Sequence, residues 1–223
     1  MSRLVRVICL VVLLVAVAPV TDAHDRLLED FWIDLAPTVP PDPFEPEPNV
    51  ARALELLLDE ARFIFSGMIY GLRFVFVPSD RARDLPETFE LSAIHDIPWG
   101  DSRLDVFSTH RDGTLVNAKL RYRPAEHELV RLRGWSSTAV AIANGAGSSS
   151  IHLGPESRRL AIENAVKNAV REHLRTRHFN KPREATGLIA FEGAPRIYID
   201  RGAYHARIAV KIRVENVRAY ETF

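Results

Sequence analysis

Between Ala203 and Val214 the chain alternates almost without a break. Tyr204, Ala206, Ile208, Val210, Ile212 and Val214 are apolar, and His205, Arg207, Lys211 and Arg213 stand between them. Successive side chains of a strand point to opposite faces, so this stretch has one dry face and one wet face. A sheet with one wet face is normally antiparallel. Something apolar must cover the dry face, and two segments have the spacing to do it. Val50, Ala53, Leu54, Leu57, Leu58, Ala61 and Phe65 recur at i, i+3, i+4 and i+7, with Asn49 placed as N-cap after Pro48. Ile162, Ala165, Val166, Ala169 and His173 form a second stripe after Pro155, while Arg158, Lys167, Arg171 and Arg175 lie mostly off it. The pattern predicts an α+β fold in which two helices pack on mainly antiparallel β-sheet.

Further strands are expected where β-branched and aromatic residues cluster between turn residues. These are Ile69–Val77, Phe89–Ile94, Leu104–Ser108, Leu115–Tyr122 after the Asp112-Gly113 turn, Glu128–Arg133, Thr138–Ala143, Thr186–Phe191 and Arg196–Asp200. Asn144–Ser150, rich in Gly and Ser, reads as a loop. Each half then holds a helix followed by strands. Gly71-Leu72 before Phe76 and Pro78 parallels Gly187-Leu188 before Phe191 and Pro195, and Gly113 before Ala118 parallels Gly202 before Ala206. The expected division is two similar α+β subdomains, 49–134 and 135–223.

The N-terminus reads as an address. Arg3 and Arg6 precede an apolar run, Val7–Ala18, that Pro19 breaks, and Ala23 offers a cleavage site. Residues 1–23 fit a secretory signal peptide; the alternative is an uncleaved anchor. Cleavage would remove Cys9, the one cysteine, leaving a chain with neither disulfide nor lipidation site. No later run reaches membrane length, so no integral span is expected after cleavage. Residues 24–48 form an acidic tail. Leu27, Leu28, Phe31, Trp32 and Leu35 fall at near-helical spacing, and the prolines from Pro37 to Pro48 make an extended spacer. Residues 24–60 carry ten acidic and two basic side chains, and the body from Ala61 onward carries 25 basic and 18 acidic. The formal net charge is zero, which argues against general nucleic-acid binding.

Four segments together resemble a known kind of envelope domain. They are Trp135–Ile142, the helix segment Arg158–Val170 with its alanine-rich face, Thr186–Ile189, and Gly202–Val210 with its Gly-Ala-Tyr-His-Ala opening. Residues 135–214 resemble the N-terminal domain of flagellar-assembly protein T and related small outer-membrane lipoprotein modules. The resemblance implies a periplasmic, non-catalytic role in envelope or flagellar structures. This chain departs from the lipoprotein members in having no cysteine at a lipidation position.

The candidate chemistry is sparse. Asn144-Gly-Ala-Gly has glycines before a helix, but no Gly-Lys-Ser/Thr follows to hold a nucleotide phosphate. None of the eight histidines forms a zincin pair. Cleavage after Ala23 would free His24 as a possible copper ligand, with His205 or His110 as its partner, but a floppy tail is a poor chelate. Ser148–Ser150 beside His152 lacks the third member of a triad. Asp101 and Asp105 read as turn formers. No catalytic residue, metal site or cofactor is assigned. The expected contact surfaces are Phe31 and Trp32 of the tail and Lys119, Arg121, Arg123, Arg131 and Arg133 sharing a hairpin face. The sequence thus predicts an exported, non-catalytic protein that binds other envelope or flagellar proteins. Its rival is a periplasmic enzyme or small-ligand carrier with a pocket near residues 144–152.

Overall fold

A computed structural model describes residues 26–38, 50–137, 140–177 and 180–220. The expected leader, Asn49 and the expected spacer from Pro40 to Pro48 lie outside the described residues, while Pro37 falls in a helical turn, Leu35–Thr38. Strand β1 (Leu27–Asp34) runs into a single helical turn, and helix α1 (Val50–Ile69) follows. Then come β2 (Leu72–Val77), β3 (Thr88–Ala93), β4 (Leu104–Asp112), β5 (Leu115–Tyr122) and helix α2 (Glu126–Trp135). The second half holds β6 (Ala141–Ser150), helix α3 (Ser157–Arg177), β7 (Glu184–Phe191), β8 (Arg196–Asp200) and β9 (Ala203–Arg218). Every strand pairing is antiparallel, and the fold is α+β.

The strands make two sheets. The smaller has the order β1-β5-β4, and the larger has β3-β2-β7-β9-β6 with β8 also on β9. Long β9 is the hub: residues 203–212 pair with β6 on one edge, while β8 and β7 share the other. Its inner residues Tyr204, Ala206, Ile208, Val210 and Ile212 are buried, as the alternation requires. Helix α1 packs against β1 and β5 of the smaller sheet and against β7 of the larger. Its second half is therefore apolar nearly all round, with Phe63, Ile64, Phe65, Met68 and Ile69 buried. Phe63 meets Phe191 edge-on at 5.4 Å, and Phe65 meets Phe31 and Tyr122, each at 6.1 Å.

This arrangement changes three expectations. The larger sheet takes β2 and β3 from before residue 134 and β6 to β9 from after it, and one core runs through both halves, so two separate subdomains do not form. The paired glycines are not equivalent either: Gly71 turns the chain at φ +77°, whereas Gly187 lies inside β7 opposite Phe74. Gly113 and Gly202 do share a role, at the β4–β5 and β8–β9 turns with φ +58° and +72°. The tail is no free helix. Residues 27–34 form a strand on β5, burying Phe31 and Ile33, because the same residues read at period two put Phe31, Ile33 and Leu35 on one side.

Residues 144–150, expected as a loop, belong to β6. They are small because α3 lies almost on the strand. A Cβ added at Gly145 would sit 2.0 Å from Ala165 O, and one at Gly147 would sit 2.2 Å from Ala165 N. The helix answers with Ala161, Ala165 and Ala169, all buried. Asn164 and Asn168 then donate to the carbonyls of Ser148 and Ala146 at 3.0 and 2.7 Å. Gly147→Val should therefore destabilise the protein by about 3 kcal/mol or more, through a backbone clash that no rotamer relieves. Gly134, in α2 with open space around it, is the contrast: Gly134→Ala should stabilise by roughly 0.5–1 kcal/mol. Thermal and urea unfolding of the two variants check both signs.

Candidate interaction surface

The smaller sheet turns one face to α1 and the other to solvent. On β5, Val116, Ala118, Leu120 and Tyr122 point inward and are buried. Lys119 and Arg121 therefore point outward, with Asp30 and Leu28 opposite them on β1. Lys119 Nζ lies 3.4 Å from Asp30. Arg121 grips Asp105 of β4 with two hydrogen bonds, from Nε at 3.0 Å and from Nη2 at 2.7 Å. Arg123 reaches the same carboxylate. The Arg121 guanidinium holds the Asp105 carboxyl below its ordinary value. The β4–β5 register shifts between Val106 and Ser108, and Phe107 stands there, 53% exposed, with the Arg121 guanidinium 5.1 Å from its ring centre. Leu28 and Leu115 are exposed as well. The face is thus a mixed aromatic, aliphatic and cationic patch on a sheet whose β4 edge no strand among the described residues pairs.

The expected contact residues divide. Lys119 and Arg121 lie on this patch. Phe31 does not: it is 4% exposed and packs on Phe65, so it cannot be a contact. Trp32 is half-buried, its Nε1 donates to Ile197 O at 3.3 Å, and the Arg158 guanidinium lies 5.0 Å from its ring. Arg131 and Arg133 are exposed but sit on helix α2, so the 115–134 hairpin whose face they were expected to share with Lys119 and Arg121 does not form. Residues 128–133, read as a strand, are helical because Glu128, Leu132 and Trp135 recur at i, i+4 and i+7 and face the protein. Phe107, which the sequence analysis passed over, is the most exposed aromatic of the patch; its signal was an aromatic next to the alternating polar residues of an edge strand.

The carboxylate in that helical stripe is one of the most enclosed polar groups among the described residues. Glu128 is fully buried. Its Oε1 accepts from the hydroxyls of Tyr70 and Tyr122, the latter at 2.9 Å, and its Oε2 accepts from Arg103 Nη1 at 2.7 Å and Ala125 N at 2.6 Å. Ala125 precedes the helix, so Glu128 also caps it. Arg103 in turn holds Asp101 through Nε and Nη2, at 3.1 and 2.7 Å. Burial alone would push Glu128 up, but the hydrogen bonds from Tyr70, Ala125 and Tyr122 and the Arg103 charge hold it below the usual 4.5. Burial and the Glu128 charge push Tyr70 up to about 12 and raise Tyr122 further. Each carboxylate oxygen accepts two donors, which is the arrangement of a brace between α1, β5 and α2.

A second buried charge joins the helices. Arg158 Nε and Nη2 bond Glu60 at 2.7 and 2.9 Å, under the rings of Trp32 and Tyr204. A cavity of about 180 Å³ beside it is lined by Ile33, Leu57, Phe63 and Ile162 among others. The pocket expected near residues 144–152 takes another form. Asn144 and Ala146 line an open groove on the outer face of β6 and β9, while His152 sits in a 3-10 turn and is not part of its lining. Among the described residues no group of three or more His, Cys, Asp or Glu is placed to hold a metal ion.

Two antiparallel sheets clamped on a shared helix, with charged braces inside and an aromatic-cationic face outside, define the class. The chain belongs to the protein family whose model matches residues 16–220. It is 21% identical over 181 residues to an uncharacterized protein of Treponema pallidum (strain Nichols), an overlap of 81% of this chain and 74% of that one. No solved structure matches the chain.

The brace has a pH signature. A carboxylate whose folded value lies below its unfolded value stabilises the fold above the unfolded value. That stability is lost as pH falls through the folded one. Urea midpoints should therefore drop from about pH 5 downward, with Asp101 and Asp105, also held low, adding to the slope. Glu128→Gln should cost about 3 kcal/mol at neutral pH, because it weakens four hydrogen bonds at once, and should flatten the acid limb. A variant with unchanged acid sensitivity would refute the role of this carboxylate.

Proposed function

We propose that this chain is an exported, non-catalytic envelope protein that assembles with other envelope proteins through the outer face of its smaller sheet. The observation that carries this reading is the cluster of exposed Phe107 and Arg123 with half-buried Arg121 around Asp105. An aromatic ring held under a guanidinium and left half in water is the kind of anchor that concentrates binding energy at protein interfaces. Exposed Leu28 and Leu115 extend the apolar area around it. The β4 edge beside it, which no strand among the described residues pairs, offers backbone groups for a partner strand. Tyr70, Tyr122 and Arg103, all shifted upward, serve the Glu128 brace instead of a cleft. Export and a periplasmic site rest on the apolar run before Pro19. A flagellar association rests on the resemblance of residues 135–214. No helix among the described residues is long and apolar enough to cross a membrane.

Deleting residues 24–48 is a poor test, because it removes β1 and the buried side chains of Phe31, Ile33 and Leu35. Phe107→Asp and Arg121→Glu leave the core intact. Cross-linking in envelope fractions, read by mass spectrometry, should lose the same partner in both variants, at about a tenfold lower yield and with the melting temperature within a few degrees of wild type. Retention of every cross-link by both variants would eliminate this face as the interface.

A further inference from the structure

The larger sheet also leaves a face open, on the side away from α1 and α3. Its rows follow from the register. Ala146 of β6, Arg207 of β9 and Arg196 of β8 form one row; Ser148, His205 and Tyr198 form the next. Arg196 and Arg207 thus stand directly opposite each other, both exposed. Like charges opposite one another in a sheet are destabilising unless something neutralises them. On the same face Lys211 pairs with Glu192 at the groove at 2.7 Å, Arg73 pairs with Glu215 at 3.3 Å, and the Arg213 guanidinium lies 5.8 Å from the Trp135 ring. Among the described residues no carboxylate pairs with Arg196 or Arg207. The Arg207 guanidinium instead lies 5.7 Å from the Tyr198 ring, and Tyr198 stacks on His205 at 5.1 Å and 12°. A groove of about 700 Å³, lined by Asn144, Ala146, Arg196, Arg207 and Glu192 among others, runs beside the pair, and its one carboxylate, Glu192, is held by Lys211.

We propose that this groove is a second docking surface, and that it takes an extended acidic segment of a partner protein. The proposal rests on the reading of the chain as a binding protein and adds a second site with its own chemistry. Guanidinium forks suit carboxylates, which they bind through paired hydrogen bonds. Two forks across one strand pair match side chains of an extended peptide lying over the sheet. The β6 side chains on this face, Asn144, Ala146 and Ser148, are small, so a backbone can lie close. The close approach of α3 to the other side of β6 requires glycines at 145 and 147 and leaves this side flat. A lipid surface would call for large apolar side chains projecting beside the arginines; their row continues into Ala146, and the one large ring nearby, Tyr198, is stacked on His205.

The test uses the mature chain and a fluorescent octaglutamate peptide, with binding read by anisotropy in about 150 mM salt, where long-range attraction is screened. Arg196→Ala with Arg207→Ala should weaken binding about tenfold, and a charge-matched pair on other surfaces, Arg81→Ala with Arg111→Ala, should change it less than about twofold. Equal loss in both double variants would reduce the effect to overall charge and overturn the proposal. So would absence of peptide binding, or vesicles of phosphatidylglycerol binding in place of the peptide with the same arginine dependence. Phe107→Asp should leave octaglutamate binding unchanged, so failure of the smaller-sheet interface and failure of this groove are separately visible.

Discussion

Helix α1 lies between two sheets, and most of the architecture follows from having to cover it on both sides. A helix with one apolar stripe needs one partner layer. From Ala61 onward α1 offers Phe63 to the larger sheet and Phe65 to the smaller, with Ile64, Met68 and Ile69 filling the gaps. Removing either sheet would expose large aromatic side chains, each worth roughly 1.5–3 kcal/mol when buried. Among the described residues the smaller sheet has three strands, and its apolar face needs a cover. Packed on α1 and closed by β1, it becomes part of the core. The N-terminal strand is therefore structural, and its Phe31 and Ile33 belong to the same buried cluster as Phe191.

The two buried charge networks sit where apolar packing alone would leave the geometry loose. Glu128 draws in Tyr70 from the end of α1, Tyr122 from β5 and Arg103 from the preceding loop, fixing α2 against all three. Arg158 ties the first turn of α3 to Glu60 on α1. Buried pairs of this kind add little net stability over apolar isosteres, yet removing one partner is costly. Their effect is to specify one arrangement of helices that would otherwise slide. Ser66 makes a smaller contact of the same sort, accepting from Ile97 N at 2.9 Å, while Arg62 Nε donates to Ile97 O. Those bonds seat the loop that carries Arg103.

How much of this could be read from the chain depends on whether a local pattern had one physical explanation or two. The alternation in β9 and the long stripe of α1 were unambiguous, and both elements lie where the spacing put them. Leu27–Leu35 fits helical and strand periods equally well, and only β5, distant in sequence, decides for the strand. Glu128–Arg133 looked like a strand because charge alternated with leucine; the helix forms because a buried glutamate occupies a position that a sequence reader assigns to solvent. Of the candidate surface, Lys119 and Arg121 were visible as outward residues of a strand. Phe107 was not, since its exposure comes from a register shift in an edge strand. The Arg196–Arg207 pair was invisible for the same reason: its meaning lies in a cross-strand register that neither segment encodes alone.

The Gly and Ala of β6 show how one feature can suggest the wrong chemistry for a sound reason. Glycines before a helix permit close backbone approach, which is why a phosphate loop is the chemistry to weigh at Asn144–Ser150, although no Gly-Lys-Ser/Thr follows. Close approach does occur there, but the thing approached is the backbone of α3. Filling that contact leaves α3 seated on the inner side of β6, with Asn164 and Asn168 bonded to its carbonyls. The outer side then has no large residue from Ala143 to Ser150 to interrupt it. The same small residues that close the core on one face of the strand therefore create the flat floor beside Arg207 on the other. Packing inside and accessibility outside are two consequences of one constraint on β6. A substitution that enlarged its inward residues would disturb the groove through the register it shares with β9, without touching a groove side chain.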